Sequence, residues 1–250
     1  MKCYIMKKAV GLFLVGGLFL MTSCRPESFE VDYSIILDSY EMSIYEPSGL
    51  SYSSDKESLY TVSDRGMIYQ ISLTGNTLKE LSFTGDDFEG ITVNPLTSDI
   101  YICEEGKGKL VKLDSKGVEQ SSYDILNNPG NKGLEGLTYN KNLDEFYMLK
   151  EMSEGLLITY SVKNNSQTEI KLDFAHDYSG IYYNNVSNKL WIVSDESKTL
   201  TQCTLDGIKI KSYKLPISGV EGIVVNDAET EAYVVSDPNN KLYKIDLTIK

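Results

Sequence analysis

The sequence holds one histidine and one tryptophan in 250 residues, and only four cysteines. No zinc-type Cys/His cluster, nucleophile elbow, P-loop or glycine-rich dinucleotide fingerprint occurs in it. Basic residues are scarce too, with 24 Lys and Arg against 36 Asp and Glu and a net charge of −12. With no basic stripe to displace counterions from phosphates, nucleic acid is excluded as a partner. A basic face that docks on anionic lipid is excluded on the same ground. No segment of the body shows the 3.6-residue period of an amphipathic helix. Of the cysteines, Cys3 and Cys24 lie near the N-terminus, whereas Cys103 and Cys203 fall at unlike positions of the body. Two buried, unbridged thiols are expected there rather than a disulfide.

What is present begins with a leader. Lys2, Lys7 and Lys8 precede an uncharged apolar run from Ala9 to Met21, followed by Thr22-Ser23-Cys24. A basic start and a short apolar core read as an export signal, and the run is too short for a membrane span. The small residues before Cys24 resemble a bacterial lipoprotein signal, which implies residues 1–23 as signal peptide, Cys24 as the lipidated residue and 24–33 as a tether. The alternatives are an uncleaved anchor or an ordinary secretory signal. Removing three leader lysines from the 24 basic residues leaves 21 against 36 acidic ones, a mature charge of −15. The expected localisation is the bacterial cell envelope, with the chain held on a membrane through Cys24 and facing away from the cytoplasm.

The body repeats itself five times. Pro47-Ser48-Gly49-Leu50, Phe88-Glu89-Gly90-Ile91, Leu134-Glu135-Gly136-Leu137, Tyr178-Ser179-Gly180-Ile181 and Val220-Glu221-Gly222-Ile223 open the repeats, with glycines 41, 46, 44 and 42 residues apart. Eleven residues after each glycine stands an aromatic residue: Tyr60, Tyr101, Tyr147, Trp191 and Tyr233. Fifteen residues after it stands an acid: Asp64, Glu105, Glu151, Asp195 and Asp237. Four residues after it comes Asn94, Asn140, Asn184 or Asn226, with Ser53 in the first repeat. A period in the forties belongs to propeller blades or helical-pair solenoids.

Strand patterning decides between them. In the second repeat, Gly90 to Asn94 and Ile100 to Cys103 are short apolar runs around a turn at Asn94-Pro95, followed by Leu110 to Leu113 and a weaker strand near Gln120 to Tyr123. Four short antiparallel strands per repeat predict an all-β, five-bladed propeller over residues 34–250. The fifth repeat runs out after its third strand, Lys241 to Ile249, and a strand-like segment, Ser34 to Met42, precedes the first. Pairing these two would close the ring and remove an exposed edge.

The Ser-Gly and Glu-Gly openings, each followed by a strand ending in an acid, resemble the SdiA-regulated domain family over roughly Ser34 to Lys250. The resemblance implies an envelope-associated five-bladed propeller, distantly similar to NHL-repeat propellers. It also implies an associated calcium site, but no established reaction.

Antiparallel pairing places the start of each first strand and the end of each second strand at one rim. Glu89, Glu135 and Glu221 are therefore expected around the axis, with Asp64, Glu105, Glu151, Asp195 and Asp237 in a ring roughly 5 Å further out. Three converging carboxylates repel one another, so the inner three are read as ligands of a hard cation, calcium. The outer five are read mainly as acceptors of loop N–H groups and as secondary ligands. Arg65 and Lys150 are the competing means of neutralisation. His176, in the loop Asp173 to Asp177, is read as a solvated residue near the same mouth. The repeated aromatics are read as interblade packing. Tyr52, Tyr139, Tyr182 and Tyr183 are read as channel or core residues, or as a ligand platform. The preferred function is a non-enzymatic, calcium-binding propeller that engages a protein or small-molecule ligand at its acidic rim. The alternative is a calcium-dependent hydrolase of lactones or phosphoesters, with Glu105, Glu151 or His176 as its base.

Overall fold

The computed structural model describes residues 31–127, 133–150 and 155–248, and among them every regular element is a β-strand. The leader, Cys24 and Glu151 lie outside the described residues. Five sheets follow one another around an axis, the five-bladed propeller expected from the repeats. Their inner strands are Pro47–Tyr52, Phe88–Val93, Leu134–Asn140, Ile181–Asn184 and Val220–Val225. Each inner strand neighbours the next, and the fifth returns to the first.

The repeated glycine marks where these inner strands come closest. A Cβ on Gly222 would lie 2.6 Å from the Ser48 carbonyl oxygen and 2.7 Å from the Leu50 nitrogen of the first blade. On Gly180 it would lie 2.3 Å from the carbonyl oxygen of Glu221. The same approach recurs at Gly49, Gly90 and Gly136, so any larger residue there would force neighbouring backbones apart. The repeated Asn closes the first hairpin of its blade. Asn94 Oδ1 accepts from the Leu96 N–H at 2.9 Å, and Asn184 Oδ1 from the Val186 N–H at 2.8 Å, the Asx-turn geometry that suits Asn at this place.

The core lies between blades. Tyr101 of blade 2 meets Phe146 of blade 3 at 4.5 Å between ring centres, and Tyr147 of blade 3 meets Tyr183 of blade 4 at 6.1 Å. Trp191 is fully buried against blade 5 and donates its indole N–H to Glu229 at 3.0 Å. The repeated aromatics are thus interblade packing, as their spacing suggested. Cys103 and Cys203 are buried and unbridged.

The ring closes through strand Ile35–Glu41, which pairs antiparallel with Lys241–Asp246 as the outer strand of blade 5. One element differs from expectation. Val31–Tyr33, assigned to the tether, pairs in parallel with the outer strand Lys209–Lys214 of blade 4. That strand would otherwise present an open edge of N–H and C=O groups, and Ser34 Oγ adds a bond to the Lys214 carbonyl at 2.6 Å.

An acidic cavity as candidate functional site

The axis is not an open channel. Leu50, Ile91, Leu137, Ile181 and Ile223, with the strand glycines, close its waist so tightly that no water fits. Two separate mouths remain. At the end where the inner strands begin lies a cavity of about 370 Å³.

Carboxylates dominate its wall. Glu89, Glu135 and Glu221 line it from the second position of their inner strands, as the antiparallel argument required. Asp64, Glu105 and Asp195 join them from the ends of second strands, whereas Asp237 is not part of the lining. No basic side chain lines the cavity among the described residues. Arg65 is turned away: its Nε bonds Glu46 Oε2 at 2.6 Å and its guanidinium covers the Tyr45 ring. Lys150 does not line the cavity either. His176 is exposed and outside the lining, with its backbone N–H bound to Ser197 Oγ at 2.9 Å.

Two acids that the repeat offsets did not single out complete the site. Asp177 lines the cavity, and Asp87 forms with Glu89 and Glu105 a triad in which one oxygen from each lies within 4.8 Å of the others. Both stand three residues before the strand glycine, where the other repeats have Glu46, Gly133 and Gly219. That column holds either an acid or a glycine in every repeat, and the signal was legible there. Where it holds glycine, the outer acid of the preceding blade takes the freed N–H. Glu105 Oε1 accepts from Gly133 at 3.0 Å, and Asp195 Oδ1 accepts from Gly219. Where it holds Asp177, the carboxylate accepts the Asp195 N–H at 2.9 Å. Glu105 and Asp195 therefore tie blades together, and Glu105 also belongs to the triad.

Burial beside like charges shows in the protonation equilibria. Burial, then the charge of Asp64, pushes Glu89 up to about 8, against the lowering effect of the Ser48 hydroxyl, which donates to Glu89 Oε2 at 2.6 Å. Burial and Asp64 likewise push Glu221 to about 7. Burial and Asp237 push Asp64 to about 7, and Asp64 Oδ1 is a buried oxygen with no hydrogen-bond partner among the described residues. Asp195 behaves oppositely: burial would raise it, but Lys198 and the Gly219 N–H outweigh that and hold it low. The wall thus offers an all-oxygen donor set that suits a hard cation, with the orphaned Asp64 oxygen among its donors.

A closed five-bladed ring carrying its acids at one mouth defines the class of this protein as a β-propeller. The chain belongs to the SdiA-regulated family, whose model matches residues 28–246. Among solved structures, the β-propeller domain of Cps50 (Swd1) from Myceliophteria thermophila aligns with a TM-score of 0.51 at 11% identity, over 81% of this chain and 65% of that one. This chain thus spans just under two thirds of that neighbour's length. A streptogramin B lyase aligns with a TM-score of 0.52 at 18% identity, over 86% of this chain and 74% of that one. At these identities the likeness concerns the fold.

Proposed function

We propose that this chain is an envelope-anchored, non-enzymatic propeller that holds calcium in its acidic cavity and there engages a ligand or protein partner. The observation that carries the reading is the convergence of Glu89, Glu135 and Glu221 with Asp64 and Glu105 in one cavity whose described lining holds no basic residue. Asp87, Glu89 and Glu105 are close enough to share one ion, with Glu135 and Glu221 as further donors across the cavity. A bound divalent cation would supply positive charge to these carboxylates, and backbone carbonyls or water would complete six to eight ligands. A cavity of about 370 Å³ exceeds the needs of one ion and leaves room for a group that approaches it. Binding is favoured over hydrolysis because His176 stands outside the lining and Glu105 is engaged by the Gly133 N–H, while the third candidate base, Glu151, lies outside the described residues. Lipidation at Cys24 would hold this mouth at the envelope.

A thermal melt tests the metal. An ion that binds the folded state stabilises it by RT ln(1 + [L]/Kd), so the midpoint should rise from chelator to millimolar calcium. Glu89→Gln and Glu135→Gln should each blunt that rise while leaving a folded protein. Superimposable melts with and without calcium would rule out the site.

A further inference from the structure

The opposite mouth of the closed axis carries a second site of different chemistry. The inner strands end there, and Tyr52 and Tyr182 help line a small cavity of about 50 Å³. Those two rings belong to blades 1 and 4, so they meet across the mouth, edge to face at 6.1 Å and 75°. Asn185 lines the same cavity, and its Oδ1 is buried with no hydrogen-bond partner among the described residues. A buried acceptor left unmade costs free energy and is an invitation to a donor. The molecule already shows which kind of group the Tyr52 ring accepts. Lys56 Nζ sits 5.7 Å from the Tyr52 ring centre and forms an ion pair with Asp227 across to blade 5.

We propose that this distal mouth is a binding site for a primary alkylammonium, which takes the place of Lys56 on the Tyr52 ring and donates to Asn185 Oδ1. Charge, shape and size agree. Aromatic faces attract cations, and Asp227 stands at the rim to receive the positive charge. A neutral polyol would gain the hydrogen bond but not the cation–π or carboxylate attraction. An anion would meet the acidic field of Asp227 and Glu229, which both act on Tyr182. A cavity needs about 10–15 Å³ to hold one water, so this one has room for an ammonium head and its first methylene, with the rest of the chain leaving through the open mouth. Lys56 is then an internal competitor, half-exposed and able to swing aside. The site is independent of the calcium reading, because the closed waist separates the two mouths.

The test is a titration of propylammonium into the full chain, followed by NMR of ring-labelled tyrosine, with 1-propanol as the neutral isostere. Saturable shifts of Tyr52 and Tyr182 are expected with propylammonium and not with 1-propanol. Asn185→Leu should weaken binding at least ~10-fold, whereas Lys56→Met should tighten it by removing the competitor and releasing Asp227. Glu89→Gln, in the acidic cavity, should leave it unchanged. No saturation by roughly ten millimolar ligand would overturn the proposal. So would equal binding of 1-propanol, weakening in Lys56→Met, or loss of binding in Glu89→Gln, which would place the amine in the acidic cavity.

Discussion

At the scale of single residues, the acidic cavity is poised against itself. Folded-state values of about 7 for Asp64, about 8 for Glu89 and about 7 for Glu221 lie above the roughly 4 of an unfolded chain. Between those limits the folded state binds more protons than the unfolded state. In chelator, stability should therefore be greatest near the acid end of the window and decline as pH rises through 7 to 8. Calcium should flatten that decline, because a cation replaces the protons. Denaturant melts at acidic and alkaline pH, with chelator and with calcium, check both parts; a metal-free protein that gains stability on going alkaline would contradict this account. Part of this was legible in the sequence. The three glutamates stand at one offset from a repeated glycine, and strand direction alone sends them to one rim. Asp87 and Asp177 were missed because their column is only partly acidic. Its glycines do a related task, donating the N–H groups that Glu105 and Asp195 accept.

At the scale of elements, strand Ile35–Glu41 is the clasp of the ring. Deleting Ser34 to Met42 should abolish the cooperative melt, or lower its midpoint severely, since it bares one edge of Lys241–Asp246. Replacing the residues before Val31 should leave the melt unchanged; a deletion variant that melts with the parent would show the clasp to be dispensable. This pairing could be read from the sequence because a repeat that stops one strand short demands a strand from elsewhere. The parallel strand Val31–Tyr33 could not be read so. Three residues carry no periodicity, and their partner is an outer edge that all blades possess in some form.

At the scale of the whole molecule, five glycines form a girdle where the inner strands touch. Gly222→Ala should cost about 1–3 kcal/mol or more, because its Cβ would press on backbone of the first blade that cannot move without shifting the ring. Equilibrium unfolding measures this, and a neutral outcome would mean that the girdle relaxes freely. The proposed lipid anchor belongs to this scale too. Cys24→Ser should release the chain from membranes, since the acidic body offers neither an apolar span nor a basic face. Fractionation with mass spectrometry of the mature N-terminus checks it, and continued membrane retention without lipid would contradict it.

Strand Ile35–Glu41 is synthesised before any full blade, and its partner Lys241–Asp246 only after all the others. Blades 1 to 4 each contain their own four strands and can form as the chain emerges, but the circle stays open until residue 246 exists. Closure therefore reports that the chain is present through strand Lys241–Asp246. A chain broken off within it leaves Ile35–Glu41 unpaired, an open edge by which proteases and chaperones can tell an unfinished molecule from a finished one.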